Sequence, residues 1–159
     1  MDYLEKIGLA GLNSRIKRLS DELLYSTRDY YKKVGLDIEP NWHLIFLLLE
    51  EHGSLTVTEI SQELRMSHPA CVKIINKMKK KNYITSKTDK NDSRKQLLEL
   101  SDKAKTRLPE FIKHWGAGTK TTEQLIKRSP HFIQELTEIE NLVSDKNYMQ
   151  RTLKNLNEL

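Results

Sequence analysis

Of 159 residues, 31% are charged and 37% hydrophobic, with six glycines, four prolines and a formal net charge of +5; such a chain is helix-prone, has room for one good core or a small domain plus an accessory helical element, and leaves little scope for long disordered linkers. The longest apolar run is Leu44 to Leu49, too short for a membrane span, and Met-Asp-Tyr-Leu-Glu opens the chain without the basic and apolar regions of a signal peptide. A single cysteine excludes an internal disulfide and fits a reducing compartment, so a cytoplasmic location is expected.

Leu4, Ile7, Leu9, Leu12, Ile16, Leu19, Leu23, Leu24, Tyr30 and Tyr31 recur at intervals of three and four. They predict one amphipathic helix from Tyr3 to Val34, stopped by Gly35, with Lys32 and Lys33 in the last turn where the helix dipole favours cations. A helix of that length is not covered by a domain this small, so a second copy of the chain is expected to bury its far side. Leu36 to Glu39 reads as an extended link before Pro40. The second helix, Asn41 to Glu51, is closed by His52 and Gly53; its centre from Trp42 to Leu49 is apolar nearly all round and is expected to be surrounded. Thr56 and Glu59 have capping-box spacing and open a third helix through Leu64, with Val57, Ile60 and Leu64 inward.

Arg65 and Met66 alone separate that helix from Ser67, a tight turn between two short helices that predicts a helix-turn-helix. In the fourth helix, Ser67 to Lys81, Ser67 supplies the N-cap oxygen and Pro69 sits in the first turn, where a missing N–H costs nothing. Cys71, Ile74, Ile75 and Met78 share one face at i, i+3, i+4 and i+7, while Lys73, Asn76 and Lys80 share the other, with Val72 and Lys77 on the flanks. Asn82 follows where a helix often ends in a left-handed residue. A short helix with one apolar and one cationic side suits a core below and a DNA major groove above.

The period then changes. Tyr83 to Thr88 and Gln96 to Leu100 read as strands around a polar turn, Asp89 to Lys95, with three basic side chains. A basic hairpin directly after a helix-turn-helix is a wing. Ser101 caps the next helix, which runs through Trp115 towards Gly116-Ala117-Gly118 and in which Pro109 predicts a kink or local break. The pattern resumes from Thr121 to Arg128, and Ser129-Pro130 starts a last helix carrying Phe132, Ile133, Leu136, Ile139, Leu142 and Val143 on one side. The fold class expected is mainly α with a small β-hairpin wing: a winged helix-turn-helix over 35–101, flanked by a helical dimerisation region formed by 1–34 and 102–159.

The charge is localised. Residues 54–101 hold ten Lys/Arg against five Asp/Glu, whereas the remaining residues hold seventeen of each. Concentration of the whole excess in the helix-turn-helix and wing is the footprint of a phosphate-binding surface. No Gly-rich phosphate loop, nucleophile elbow or metalloprotease motif is present, so neither enzymatic activity nor a cofactor is expected.

In order and in detail the sequence resembles the MarR (multiple antibiotic resistance regulator) family of bacterial transcription factors. Leu55-Thr56-Val57-Thr58-Glu59-Ile60, Ser67-His68-Pro69-Ala70, and the run Asp89 to Arg94 followed by Leu98, Leu100 and Ser101 carry the resemblance. Gly35 to Trp42, taken with Ser67-His68-Pro69-Ala70, is closest to a subgroup often fused to an acetyltransferase; the sequence ends at Leu159, so that second domain is not expected. The resemblance implies a homodimer formed through the first and last helices, a recognition helix in the major groove and a wing arginine in the minor groove of a palindromic operator. Its wing Asp-x-Arg falls on Asp92 and Arg94, and its basic recognition-helix position on Lys73. The sequence departs from the family at Val72, where a serine or threonine is usual, and at Asn82, where glycine is usual.

The surface expected to meet double-stranded DNA comprises Thr56; Ser67, His68, Pro69, Val72, Lys73, Asn76, Lys77 and Lys80; and Lys87, Lys90, Asp92, Arg94 and Lys95. Lys79, Lys80, Lys81, Lys87 and Lys95 would neutralise phosphates, giving affinity without sequence reading. Asn76 suits adenine, Lys73 guanine and Val72 a thymine methyl, while Asp92 would steady Arg94 in the minor groove. Small-molecule effectors of the family commonly bind where dimerisation and DNA-binding parts meet, and Tyr25, Arg28, Tyr31, Trp42, His43, His114 and Trp115 are the candidates to line such a pocket. No metal site is expected: Glu39, His43 and His114 could ligate a metal, yet no two share a helix at i, i+4, since Glu39 falls in the extended link. Cys71, on the apolar stripe, reads as core filler, and the family's peroxide sensors carry their cysteine in the first helix, where this chain has none. A winged helix serving a protein or RNA partner, or a metal- or redox-responsive regulator, is the alternative reading.

Overall fold

The computed structural model describes residues 1–158. Asp2 caps the short helix α1 (Tyr3–Lys6) by accepting from the Leu4 and Glu5 amides at 2.7 and 3.2 Å. Gly8 follows at φ +58, a backbone that side-chain-bearing residues avoid, and Gly8–Gly11 forms a 3-10 turn before α2 (Leu12–Lys33). A Cβ on Gly11 would stand 2.4 Å from the Leu4 carbonyl oxygen, so the turn closes only on glycine. The single helix expected from Tyr3 to Val34 is therefore broken: the apolar period continues across the turn, but the backbone does not.

Helix α3 (Trp42–His52) is followed by a two-residue strand, β1 (Ser54–Leu55). Next come α4 (Val57–Glu63) and α5 (His68–Lys80), then β2 (Ile84–Thr88) and β3 (Gln96–Leu100). The sheet is antiparallel in the order β1-β3-β2, with Ser86 opposite Leu98 and Leu55 also opposite Leu98. The strand β1 was not expected; two residues are too few to show an alternation. The fold is a mainly α winged helix-turn-helix.

Its core is built from α3 (Trp42, Ile45, Phe46, Leu49), α4 (Ile60), α5 (Cys71, Ile75, Met78), the strands (Ile84, Leu98, Leu100) and Tyr83. The Tyr83 ring meets Phe46 and Trp42 edge-on, with centroids 5.3 and 6.2 Å away, an arrangement aromatic quadrupoles favour. Helix α3 is not surrounded, as its composition suggested: Leu44 and Leu47 remain 36% and 44% exposed.

The chain divides into two compact units, Met1–Pro109 and Glu110–Leu159. Helix α6 (Asp102–Ile126) contains Pro109. The proline cannot donate to the carbonyl four residues back, yet neither it nor Gly116 and Gly118 interrupts the helix. The last helix expected from Ser129-Pro130 is instead two: α7 (Phe132–Asp145), which starts after that dipeptide, and α8 (Tyr148–Leu156). Lys146 between them is extended, and Asn147 and Gln150 form a reciprocal capping box that starts α8 afresh. Among the described residues no helix is long and apolar enough to cross a membrane.

Candidate nucleic-acid interface

The entry to the helix-turn-helix is fixed by hydrogen bonds that its residue types dictate. The Glu59 carboxylate accepts from the Thr56 amide at 2.7 Å and hydroxyl at 2.8 Å, and the Glu59 amide donates back to Thr56 Oγ1 at 3.2 Å. Those bonds, the Thr56 amide first and its hydroxyl second, hold the Glu59 carboxyl below its ordinary value. Thr56 is thus half-buried with its hydroxyl committed to the cap. The turn between α4 and α5 is made by Arg65 at φ +48, a left-handed position occupied without glycine.

Ser67 caps α5 through the Ala70 amide at 3.4 Å, and Pro69 occupies the first turn. One side of the helix is sealed: Cys71, Ile75 and Met78 are buried, Ile74 is half-buried, and the Cys71 thiol lies 3.8 Å from the Val57 carbonyl oxygen at the start of α4. Burial pushes the Cys71 thiol above its ordinary pKa. On the other side His68, Pro69, Lys73, Asn76, Lys77 and Lys80 are exposed, with Val72 half-buried between the faces. Asn82 ends the helix at φ +60, the left-handed conformation expected of it.

The wing turn is organised by two aspartates. Asp89 Oδ1 accepts from the amides of Asn91 (2.6 Å) and Asp92 (3.0 Å). Asp92 then holds Arg94 at three points: its amide at 3.1 Å, Nε at 3.1 Å and Nη2 at 3.3 Å. Arg94 side chain and then amide lower the Asp92 pKa. The guanidinium is oriented while remaining 89% exposed, a cation aimed into solvent. Lys90 and Lys95 are exposed beside it. Lys87 is not free in the same sense, because it is ion-paired with Glu99 on the neighbouring strand, and Lys79 donates to Ser86 at 3.3 Å, tying α5 to β2.

A polar cluster that the sequence does not announce sits behind the end of α5. Asp37, in the link after Gly35, accepts from the Tyr83 hydroxyl and from Arg107 Nη1 at 2.7 Å, and lies 3.4 Å from Lys103 Nζ. Lys103 also donates to the Lys81 carbonyl at 2.8 Å and stands 4.0 Å above the Tyr83 ring. Burial works to raise the Asp37 pKa, but the Tyr83 hydroxyl and the Lys103 and Arg107 charges outweigh it and bring it below the ordinary value. Burial first, then Asp37, drive the Tyr83 phenol well above its own.

Beside this cluster is a cavity of about 380 Å³ walled by α2, the link and the last turn of α5. Of the residues expected to form an effector pocket, Arg28, Tyr31 and Trp42 line it, together with Lys32, Leu36, Asp37, Ile38, Glu39, Lys77, Lys80 and Lys81. Arg28 pairs with Glu39 at 3.2 Å and lies 5.8 Å from the centre of the Tyr25 ring, which itself stands outside the lining. The His43 ring meets the Pro40 carbonyl at 2.6 Å through Nδ1 and does not line the cavity. His114 and Trp115 belong to the second unit, where Trp115 stacks at a tilt 5.8 Å from Phe111. Among the described residues no group of three or more His, Cys, Asp or Glu is placed to hold a metal ion.

The family model described as MarR family matches residues 36–95, from the link before α3 to the end of the wing. No curated protein matches the chain in sequence. Solved structures match it in fold. The adhesin competence repressor AdcR of Streptococcus pyogenes is 19% identical with a TM-score of 0.60, over 86% of this chain and 98% of its own. A mutant of E. coli MarR complexed with operator DNA is 16% identical, TM-score 0.65, over 90% and 99%. The S. aureus MepR–DNA complex is 15% identical, TM-score 0.68, over 84% and 96%. Residues 36–95 thus resemble the MarR family, and the chain has the winged helix-turn-helix fold that these solved structures share.

Proposed function

We propose that the chain is a dimeric, sequence-specific DNA-binding transcriptional regulator that acts in the cytoplasm by binding rather than by catalysis. The observation that carries this reading is the division of α5 into a sealed apolar face and an exposed face bearing Lys73, Asn76, Lys77 and Lys80, beside a wing whose Arg94 is held outward by Asp92. In this reading Pro69, Val72, Lys73 and Asn76 meet base edges in the major groove, Arg94 enters the minor groove, and Ser67, His68, Lys77, Lys80, Lys90 and Lys95 bind or border the phosphates. The DNA complexes of E. coli MarR and S. aureus MepR, which share the fold, support it.

The dimer is supported by apolar side chains with no cover in the single chain. Leu12, Ile16, Leu19 and Leu23 form an exposed stripe on α2, and Phe132, Ile133, Leu136, Ile139, Leu142 and Val143 are all exposed on α7. Stripes of that size on a soluble protein mark an interface. The flanking segments 1–34 and 102–159 serve as the dimerisation region and 35–101 as the DNA-binding domain. The cavity is proposed to take a small-molecule effector, since an anion held there would draw on Lys77, Lys80 and Lys81, which belong to the recognition helix or its end.

Selection of duplexes from a random pool tests the reading. A dimer with two recognition helices enriches a palindrome whose half-sites lie about one helical turn apart. Failure to enrich any sequence, or enrichment of a single-stranded RNA over the duplex, would refute it.

A further inference from the structure

We infer that Asp37 is the positioning residue for DNA reading, the carboxylate that sets the recognition helix at its working angle without touching DNA. This rests on the function proposed above. The residues immediately following α5 are gripped from two sides. From the first turns of α6, Lys103 donates to the Lys81 carbonyl at 2.8 Å and Ser101 Oγ donates to the Asn82 carbonyl at 2.6 Å. From the core, the Tyr83 ring is wedged against Phe46 and Trp42. Asp37 joins these grips through its carboxylate: it accepts from Tyr83 and Arg107 and pairs with Lys103, drawing together the link before α3, the residue leading into β2 and α6, while Arg107 Nη1 also donates to the Tyr83 hydroxyl at 3.1 Å. Lys103 and Arg107 are two cations within one helical turn, and the Asp37 carboxylate is what lets them converge on the C-terminal end of α5. The same carboxylate lines the cavity that Lys77, Lys80 and Lys81 also line.

The geometry makes a prediction whose sign separates positioning from simple charge. Asp37→Asn removes a negative charge close to a lysine-rich surface, so electrostatics alone would tighten binding to every duplex. If Asp37 positions the helix, the substitution removes the charge and one of the two acceptor oxygens on which Lys103 and Arg107 converge, the end of α5 loses its fixed register, and base reading suffers while phosphate attraction does not. The experiment is a pair of titrations, the selected duplex and a random one, on wild type, Asp37→Asn and Tyr83→Phe, with thermal unfolding of each. Tyr83→Phe keeps the ring in the core and removes the hydroxyl that donates to Asp37 and accepts from Arg107, so it serves where Asp37→Asn fails to fold. The expected result is a weakening of about tenfold on the selected duplex for Asp37→Asn, a smaller weakening for Tyr83→Phe, and unchanged or tighter binding to the random duplex in both. A wild type that prefers its selected duplex and variants that keep the full preference would overturn the inference alone. A wild type with no preferred duplex would overturn the function beneath it and the inference with it.

Discussion

The cations of the wing should not contribute equally to DNA binding, and the difference is measurable as a salt slope. Lys87 is paired with Glu99, whose side chain is 31% exposed, so the pair carries no net charge and offers a phosphate little. Lys95 is exposed at the end of the wing and has no comparable ion pair among the described residues. Each phosphate neutralised steepens the dependence of log affinity on log salt by about 0.9. A dimer presents each side chain twice, so Lys95→Ala should flatten the slope by about 1.8. Over a salt range of about 50 to 200 mM, that shrinks the loss of affinity about tenfold. Lys87→Ala should leave the slope nearly where it was, and Glu99→Gln, which releases Lys87, should steepen it. Fluorescence anisotropy of a labelled duplex at several salt concentrations reads all three. Equal flattening by Lys87→Ala and Lys95→Ala would refute the argument that the strand pair withholds Lys87.

Other consequences follow from the helix-turn-helix itself. Ile75 is 2% exposed on the sealed face of α5, and Ile75→Ala should cost about 3 kcal/mol in urea unfolding; a loss below about 1 kcal/mol would mean that the face is not sealed. Removing the Thr56 cap by Thr56→Ala should cost about 1 kcal/mol. Because Glu59 titrates lower when folded than when unfolded, its contribution is complete above the unfolded value near pH 4 and is lost as pH falls through the folded one. Glu59→Gln should therefore lack part of the acid destabilisation of the wild type in unfolding midpoints taken downward from about pH 5; an unchanged acid profile would contradict the capping box. Buried and with its thiol pKa raised, Cys71 should resist iodoacetamide at neutral pH until denaturant is added, and rapid labelling of the native protein would contradict its place in the core.

Local chemistry was legible where the sequence carries it within a few residues. The capping box at Thr56, the N-cap at Ser67, the two faces of α5, the left-handed Asn82 and the Asp92–Arg94 wing were all readable, because each is decided inside one turn or one helix face. The opening helix was misread because an apolar period survives a backbone break; Gly8 and Gly11 were visible, but only the left-handed backbone at Gly8 and the close approach of the Leu4 carbonyl to Gly11 show why each is needed. At Pro109 the alternative of a local break is not realised, since α6 runs on past its missing donor. The cluster around Asp37 was beyond reach. Its hydrogen bonds to Tyr83 and Arg107 span 46 and 70 residues, and no spacing rule joins positions that far apart. The pairing of Lys87 with Glu99 likewise depends on strand register. Part of the expected effector pocket fell together for a simpler reason: Arg28, Tyr31 and Trp42 flank one short link.

The central claim, that α5 and the wing read DNA, is tested most directly by a gel-shift titration of the selected duplex at physiological salt with Lys73→Ala and Arg94→Ala. Both side chains are exposed, so neither substitution should disturb the fold or the dimer. Each should weaken binding by about 1–3 kcal/mol and relax sequence preference at the positions it meets. Wild-type affinity in both variants would contradict the account.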